Sequence, residues 1–369
     1  MPFCRQACYY CNFHFSTSLR LKNEFLSALL EEVKVRRDYL PEDSVIETIY
    51  WGGGTPSLLE EEEINRLMQA IRTAWTVDPQ AEITLEANPD DITAEKADAW
   101  QKAGINRISM GVQSFFEEDL VRMNRAHNAQ QARAAVPLLQ KAGFENITLD
   151  LIYGIQDLSD ERWKANVDLA LQLQVPHLSC YALTVEPKTA LDKRIRDHRE
   201  KAVNPDDQAR QLLLLMDWLE AAGYEHYEIS NFARPGYRSR HNSAYWQGKH
   251  FIGLGPSAHS YNGKSRQWNI ANNTLYISST LQGMPSFEKE ELGPIQQFNE
   301  YVMTSLRTKE GIDLAIMQQL HPTGKTGLVM KEAERYLKQQ LMEEREGHLL
   351  LTRQGKLFAD GIAADLFIL

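Results

Sequence analysis

Three cysteines lie within eight residues near the start of the sequence, at Cys4, Cys8 and Cys11. Thiolate sulfur is a soft ligand that suits iron–sulfur clusters and zinc. On a 4Fe-4S cluster, three thiolates leave one iron without a protein ligand, so that iron is open to a small molecule. A structural zinc site usually has four Cys or His ligands, and His14 is a candidate for the fourth. The spacing favours the cluster, and zinc or a disulfide remains an alternative.

Ligand-type residues follow several strand-like segments at the point where each segment ends. These are the run Gly52 to Gly54, Glu86 with Asn88, Gln113, and Asp150. Glycine lets the backbone approach a ligand closely because it has no Cβ, and a buried carboxylate without a partner is costly. We therefore predict a ligand site at these strand ends. Asp150 could instead form a structural salt bridge or a helix cap, and Gln113 and Arg125 are weak candidates when taken singly.

Strands and helices alternate in the first two thirds of the chain. Apolar residues at intervals of three and four predict helices, and short apolar or alternating runs predict strands. The predicted strands are 45–51, 82–87, 105–112, 146–153, 176–185 and 225–232, and the predicted helices are 19–39, 58–75, 93–104, 129–142, 160–173 and 206–222. This alternation implies parallel pairing with right-handed crossovers. We predict an α/β fold, a partial (β/α)6-type barrel over residues 1–235, with its site at the carboxyl ends of the strands.

The last third of the chain differs in composition and in its predicted secondary structure. Residues 231–273 are rich in Gly, Asn, Ser, Tyr and His and are predicted to be an ordered loop, within a connecting segment over 236–290. Residues 291–369 are predicted to form a mostly helical, winged-helix-like domain. Its expected elements are helices at 295–306, 313–320 and 328–344, a hairpin at 347–355 and a final helix.

Composition limits the classes of function. The formal net charge of −10 and the lack of a long basic run argue against a nucleic-acid groove. We find neither an apolar run of about 18 residues, as a membrane span requires, nor a signal-peptide pattern, so we expect a cytoplasmic protein. Cys180 lies in an apolar strand-like segment and is expected to be a small core side chain.

A second cluster of chemically distinctive residues lies outside the barrel pattern, from His241 to Trp246 and from Gly253 to Ser260. It combines two histidines, His241 and His259, with aromatic residues and glycines. Imidazole is a common ligand of haem iron, and flat aromatic rings pack against a macrocycle. Composition alone leaves haem binding and a well-packed loop as alternatives.

Taken together, these motifs resemble those of the HemW family, haem chaperones of the radical S-adenosylmethionine (SAM) superfamily related to oxygen-independent coproporphyrinogen III oxidase, a porphyrin-biosynthesis enzyme. The resemblance extends over nearly the whole chain. It rests on the cysteine triad and on the segments Trp51-Gly-Gly-Gly-Thr-Pro-Ser57, Glu86-Ala-Asn-Pro89, Arg107-Ile-Ser-Met-Gly-Val-Gln-Ser114 and Leu149-Asp-Leu-Ile-Tyr-Gly154. In that superfamily the open iron binds SAM, and an electron from the cluster breaks its sulfonium bond.

The resemblance implies a role for each matching residue. Cys4, Cys8 and Cys11 are expected to hold the 4Fe-4S cluster. Contacts to SAM are expected from Gly53, Gly54, Thr55, Glu86, Gln113, Arg125 and Asp150. Arg125 is expected to pair with the methionine carboxylate, and Gln113 and Asp150 with the ribose hydroxyls, which agrees with the chemistry of these groups.

Two features separate the chaperones from the oxidases within this resemblance. The oxidases have a further Cys two residues after the third, where this sequence has Phe13. The chaperone motif His-Asn-x-x-Tyr-Trp, which is linked to haem, is present at His241 to Trp246. The resemblance therefore favours a chaperone that delivers haem to respiratory proteins, with His241 as a tentative haem contact.

Other hypotheses remain beside it. The chain could be the oxidase, which decarboxylates coproporphyrinogen III by radical chemistry, or a binding module with a purely structural cluster. Only Met1, Pro2 and Phe3 precede the first cysteine, so we expect a further strand before Met1 in the full protein, with a SAM-contacting Tyr as in the family. The haem recipient, the haem ligand, cleavage of SAM, the oligomeric state and peripheral membrane association stay open.

Overall fold

The computed structural model describes residues 1–321, 324 and 326–368. Its main sheet has seven strands in the order β1-β2-β3-β4-β5-β7-β6. They are β1 (Val45–Trp51), β2 (Thr76–Ala87), β3 (Arg107–Gln113), β4 (Asn146–Tyr153), β5 (His177–Ala182), β6 (Glu225–Glu228) and β7 (Asn231–Ala233). The first five are parallel to one another, and the curled sheet forms half a barrel. The predicted α/β half-barrel is therefore confirmed.

Helices follow the parallel strands and cover the outer face of the sheet. They are α1 (Lys22–Val35), α2 (Glu61–Ala74), α3 (Ala94–Lys102), α4 (Glu117–Arg122), α5 (Ala129–Lys141), α6 (Asp160–Gln172), α7 (Ala190–Arg196) and α8 (Pro205–Ala221). Side-chain caps begin several of them, since Thr93, Asn128 and Ser159 accept hydrogen bonds from the first turns of α3, α5 and α6. Trp100 and Trp163 are buried between helices and sheet, and Cys180 is in the same core, as expected.

Alternation along the strands divides the sheet into two faces. On β3, Ile108, Met110 and Val112 belong to the core beneath the helices, so Arg107 and its alternate neighbours point to the concave side. Gly111 lies beside Asp150 of β4 in the parallel register, and Asp150 lies beside Ser179 of β5. The register therefore brings polar residues from separate strands together inside the half-barrel.

The predicted strand Glu225 to Phe232 is wrong as a single element. The chain reverses after Glu228, so β6 and β7 form an antiparallel hairpin, and β7 pairs antiparallel with β5. Glu228 holds the turn, because its carboxylate accepts a hydrogen bond from the backbone N–H of Ser230 at 3.0 Å. The turn contains neither Gly nor Pro, so the sequence carries no sign that the strand pattern is interrupted there.

The predicted loop over 231–273 is also wrong, because it contains regular elements. Within it or directly after it lie α9 (Arg240–Trp246), β8 (His259–Tyr261), β9 (Ser265–Asn269), α10 (Asn273–Leu281) and β10 (Phe287–Glu291). The strands form a separate antiparallel sheet in the order β10-β9-β8. Side-chain hydrogen bonds stabilise the first turn of helix α9. The Ser239 hydroxyl accepts a hydrogen bond from the N–H of Asn242, and the Glu82 carboxylate of β2 accepts from the N–H groups of Arg240 and His241.

The carboxyl-terminal part has its own hydrophobic core, with Phe298, Leu349 and Ile362 among its buried residues. It comprises α11 (Pro294–Leu306), β11 (Ile312–Asp313), α12 (Leu314–Leu320), α13 (Gly327–Lys338), β12 (Met342–Arg345), β13 (His348–Leu351) and α14 (Ala359–Asp365). The helix predicted over 328–344 is too long. The chain turns at Gln340, which has a positive φ of 58°, and continues as β12, paired with β13. Residues 322, 323, 325 and 369 of the predicted domain 291–369 lie outside the described residues.

Contacts between the two cores centre on the β6–β7 hairpin. The guanidinium of Arg307 lies 3.0 Å from the Glu228 carboxylate, and the N–H of Ile229 donates to the carbonyl of Arg307 at 3.1 Å. Within the described parts of the chain, none of the helices is both long and apolar enough to cross a bilayer.

Candidate functional site

A cavity of about 490 Å³ opens at the carboxyl ends of the parallel strands. The structure gathers ten of the eleven predicted site residues in its lining. These are Cys4, Cys8, Cys11, Gly53, Gly54, Thr55, Glu86, Gln113, Arg125 and Asp150. The eleventh, His241, lies outside the lining. A site of this kind is where α/β barrels place their ligands.

The cysteine loop presents free thiols to this cavity. The N–H of Cys4 donates to the Ser16 carbonyl at 3.0 Å, and the N–H of Cys11 donates to the Cys8 carbonyl at 3.2 Å. Burial raises the pKa of Cys4 and Cys11. Within residues 1–321, 324 and 326–368, no three His, Cys, Asp or Glu side chains converge on a single metal ion. Three soft thiolates around one cavity fit a polynuclear iron–sulfur cluster, in which each thiolate binds its own iron.

The glycine run allows close contact between the β1 end and the cysteine loop. A Cβ on Gly54 would lie 2.6 Å from the Phe3 carbonyl oxygen and 3.0 Å from the Cys4 sulfur. A Cβ on Gly52 would lie 2.8 Å from the Tyr50 ring. Side chains at these positions would displace the loop, so the glycines are needed for the geometry of the site.

Arg125 crosses the cavity from the loop after α4. One amino group of its guanidinium, Nη1, lies 3.3 Å from the Cys8 sulfur, and the other, Nη2, donates to Asn88 Oδ1 at 2.7 Å and to the Gly111 carbonyl at 2.6 Å. Its Nε has no hydrogen-bond partner among the described residues. A buried donor of this kind is costly unless a ligand accepts from it. The residue therefore fits an anionic group bound in the cavity.

Two carboxylates, those of Glu86 and Asp150, line the cavity. Glu86 accepts hydrogen bonds from the Tyr50 hydroxyl at 2.8 Å and the Gly53 N–H at 3.1 Å, and burial raises its pKa. Burial, with repulsion from Glu86, raises the pKa of Asp150 to about 7. Carboxyl groups with raised pKa values suit ligands that bring a cation or hydroxyl groups.

Tyr50 and Arg107 are among the lining residues that the sequence interpretation did not name as site residues. Arg107 is buried and contacts the Thr148 hydroxyl, and its Nε lies 3.9 Å from the Glu82 carboxylate, without a hydrogen-bond partner among the described residues. The alternation of side chains along a strand could have identified Arg107. It lies on the same face of β3 as Gly111 and Gln113, which also line the cavity.

His241 is adjacent to the cavity but separated from it by Tyr50. The two rings stack with centroids 4.7 Å apart and an interplanar angle of 17°. Its Nδ1 hydrogen-bonds the Thr48 hydroxyl at 2.8 Å, and its Nε2 hydrogen-bonds the Tyr245 hydroxyl at 3.1 Å. Burial lowers its pKa to about 4. The imidazole is therefore neutral at pH 7, and both ring nitrogens are engaged.

Comparison with known proteins assigns the chain to a family. Residues 1–170 match the Radical SAM superfamily, and residues 292–358 match the HemN C-terminal domain. The heme chaperone HemW of Mycobacterium tuberculosis is 36% identical, over 99% of this chain and 93% of that protein. That of Bacillus subtilis is 32% identical, over 98% of this chain and 96% of its own length. The chain belongs to the HemW family.

A solved structure supports the fold of this HemW family member. The coproporphyrinogen III oxidase HemN of Escherichia coli, described as a radical SAM enzyme, superposes with a TM-score of 0.86 over 100% of this chain and 88% of that chain. Its sequence identity of 24% establishes the shared fold only. Membership of the superfamily implies a 4Fe-4S cluster and SAM, and the chemistry of the cavity residues fits both.

Proposed function

We propose that this protein is a haem chaperone, which binds haem and delivers it to respiratory haem proteins. The observation that carries the proposal is the near full-length identity to relatives named heme chaperone HemW, 36% over 99% of the chain in one case. We propose a cytoplasmic location, since three free thiols at a cluster site require reducing conditions.

In this proposal the cavity holds the cluster and SAM. Cys4, Cys8 and Cys11 ligate the cluster, which supplies the redox chemistry of the site when bound. Contacts to SAM come from Gly53, Gly54, Thr55, Glu86, Gln113, Arg125 and Asp150. The unpartnered Nε of Arg125 supports a role for this residue in binding the methionine carboxylate. The raised pKa of Asp150 supports a hydrogen bond to a ribose hydroxyl.

His241 is the proposed haem ligand. A low pKa keeps the imidazole neutral at pH 7, which leaves a lone pair for iron. Coordination through Nε2 replaces the hydrogen bond to Tyr245, and coordination through Nδ1 replaces the one to Thr48. Phe13, at the position of the extra oxidase cysteine, is 72% exposed at the rim of the cavity, so its ring is available to an apolar ligand.

Haem titration tests the proposal. Purified wild-type protein should bind haem with a defined stoichiometry, and His241→Ala should weaken binding at least about tenfold, since one coordinate bond is lost. His348→Ala is the matched control, because His348 lies on β13 in the carboxyl-terminal part. Weak haem binding that is unchanged in all three proteins would exclude His241 and count against the chaperone.

The oxidase is the second candidate, because residues 1–170 match the Radical SAM superfamily and residues 292–358 match the HemN C-terminal domain. Reconstituted protein is incubated anaerobically with a reductant, SAM and coproporphyrinogen III. A decarboxylated porphyrinogen would support the oxidase. Formation of 5'-deoxyadenosine without decarboxylation would argue against the oxidase, and would also exclude a purely structural cluster.

A further inference from the structure

A buried arginine lies at the inner end of the cavity, where neither the cluster nor SAM accounts for it. Arg107 is 1% exposed and lines the cavity. Its guanidinium contacts the hydroxyl of Thr148, which precedes Asp150 by two residues on β4. A strand advances about 3.3 Å per residue, so Thr148 lies about 7 Å deeper in the half-barrel than Asp150, the proposed ribose contact.

The protein satisfies only part of this guanidinium. Among the described residues, only the Thr148 hydroxyl accepts a side-chain hydrogen bond from Arg107. The Glu82 carboxylate lies 3.9 Å from Nε, too far for a hydrogen bond. Both oxygens of Glu82 instead accept from the backbone N–H groups of Arg240 and His241, at 3.1 Å and 2.9 Å. A buried charge needs hydrogen bonds as well as a counter-charge, so Arg107 has N–H donors available to an anion.

Other polar side chains surround this cation. Ser109 pairs with Thr148 in the register of β3 and β4, and Asn242 follows His241 on α9. Both line the cavity, and neither side chain forms a hydrogen bond with any residue that the structure describes. A hydroxyl and a carboxamide can each donate to an anion. We call Arg107, Ser109, Thr148 and Asn242 the inner subsite.

We propose that the inner subsite binds the carboxylate of a second ligand, which shares the cavity with SAM. The planar fork of a guanidinium matches a carboxylate through two parallel hydrogen bonds. One cation with neutral donors balances a single negative charge, whereas a phosphate group carries about two. The lining carboxyls of Glu86 and Asp150 both have raised pKa values, which lessens their repulsion of an anion.

Two sources can supply this carboxylate. One is a small free carboxylic acid that enters beside SAM, which requires only the cavity. The other is a propionate group of haem bound at His241, and this source rests on the proposed function. Burial, and then the charge of Arg107, lower the pKa of His241 to about 4, so the cation and the proposed haem ligand are neighbours. Asn242 joins the two sites through its place in the chain.

The first arm of the test uses free propionate with an isotopic label at its carboxyl carbon. Binding to anaerobically reconstituted, SAM-saturated protein is measured by NMR. Arg107→Gln should bind propionate at least about tenfold more weakly, because charge-assisted hydrogen bonds are lost. Arg133→Gln is the matched control, since Arg133 lies on α5 outside the lining and donates to the Phe115 carbonyl. It should match wild type, and SAM affinity should stay within about twofold in both variants.

The second arm compares haem with haem dimethyl ester, in which both carboxylates are blocked, by absorbance titration. Weaker binding of haem but not of the ester to Arg107→Gln supports the haem propionate as the source. Loss of propionate binding alone supports a small free acid. His241→Ala should weaken haem and leave free propionate bound, so failure of the haem site and failure of the inner subsite are distinguishable.

Three outcomes would overturn the proposal. In the first, propionate and haem bind Arg107→Gln as they bind wild type, so that only water occupies the subsite. In the second, the ester is weakened as much as haem while propionate binding is unchanged. In the third, SAM affinity falls as far as propionate affinity, which would assign Arg107 to SAM. Should Arg107→Gln take up no cluster, Asn242→Ala tests the same subsite, with propionate binding expected to fall about three- to tenfold; unchanged binding there would equally overturn the proposal.

Discussion

The cofactor cavity and helix α9 lie on opposite sides of Tyr50, yet their polar groups are satisfied in different ways. In the cavity, the Nε atom of Arg125 has no hydrogen-bond partner among the described residues, and burial raises the pKa of Asp150 to about 7. In α9, both ring nitrogens of His241 are hydrogen-bonded. The cavity therefore has a donor available to a ligand, whereas the His241 ring has none.

This difference predicts different responses to a ligand. A ligand in the cavity gains contacts with groups that already face it, so binding there requires little rearrangement. A ligand at His241 must displace a hydrogen bond that contributes about 0.5–1.5 kcal/mol. The cavity is therefore a preformed site, whereas the proposed haem site at His241 must open to bind its ligand.

The largest effect is expected from removing a cysteine. Cys8→Ala should reduce bound iron and sulfide from about four each per chain, as in a 4Fe-4S cluster, to a small fraction after anaerobic reconstitution. Iron and sulfide analysis with an absorption spectrum measures this. Haem affinity should stay within about twofold of wild type, because His241 is held by Thr48 and Tyr245 and not by the cysteine loop.

The iron and sulfide content of the wild-type protein is the reference for the Cys8→Ala variant. Wild-type protein that holds zinc, or no inorganic sulfide, would contradict the cluster itself. Loss of haem binding together with the cluster would show that the two regions are not independent.

The next effect concerns Arg125. Arg125→Met removes a guanidinium that bonds Asn88 and the Gly111 carbonyl. Charge-assisted hydrogen bonds contribute about 1.5–3 kcal/mol, so SAM affinity should fall about 10- to 100-fold in calorimetric titration. The control is Arg122→Met, whose side chain bonds the Gln156 carbonyl outside the cavity. Equal losses in the two variants, at equal cluster content, would exclude the carboxylate contact.

The pH dependence of stability sharpens the account of the cavity. The raised pKa of Asp150, about 7, means that the cofactor-free fold prefers the protonated carboxyl, whereas the unfolded chain has a pKa of about 3.9. Its contribution to stability is complete below about pH 4 and is lost as the pH rises through about 7. The Asp150→Asn variant has no titratable group at this position, so it should not lose stability in this way as the pH rises.

Denaturant unfolding of the cofactor-free protein at pH 5 and pH 8 measures the effect. Wild type should lose about 1–2 kcal/mol more than Asp150→Asn between these pH values, given about 1.4 kcal/mol per pKa unit and some solvent contact. Asp38→Asn is the control, since the Asp38 side chain is 91% exposed. Parallel profiles for wild type and Asp150→Asn would contradict the burial of this carboxyl.

The two regions also differ in how far the sequence predicts them. Strands β1 and β4 have the predicted boundaries, because local apolar runs end in Gly52 and Gly154. Gly53, Glu86, Gln113 and Asp150 lie near or just after the carboxyl ends of such strands, so parallel pairing was sufficient to gather them at one edge. Arg107 was missed because it lies near the amino end of its strand, whereas site residues were expected at the carboxyl end.

Helix α9 could not be predicted in the same way. It has seven residues, too few to be stable alone, and its first N–H groups bond Glu82, which lies 158 and 159 residues away from Arg240 and His241. The stacking of Tyr50 on His241 likewise joins residues of distant segments. The structure of α9 therefore depends on tertiary contacts, which the local sequence pattern does not predict.

The smallest effect tests whether the His241 site must open. Tyr245→Phe removes only the hydroxyl that engages Nε2 of His241. If haem iron binds that nitrogen, the competing hydrogen bond is gone, so haem affinity should rise by up to about tenfold, the equivalent of about 1.4 kcal/mol. The direction is opposite to that of His241→Ala, and the same spectroscopic titration measures both. Thr48→Val removes the partner of Nδ1 instead, so a gain in that variant alone would move the iron to Nδ1. Weaker binding in both variants would show that the imidazole needs its present partners to be positioned, and that the closed arrangement around His241 is itself the haem-binding form.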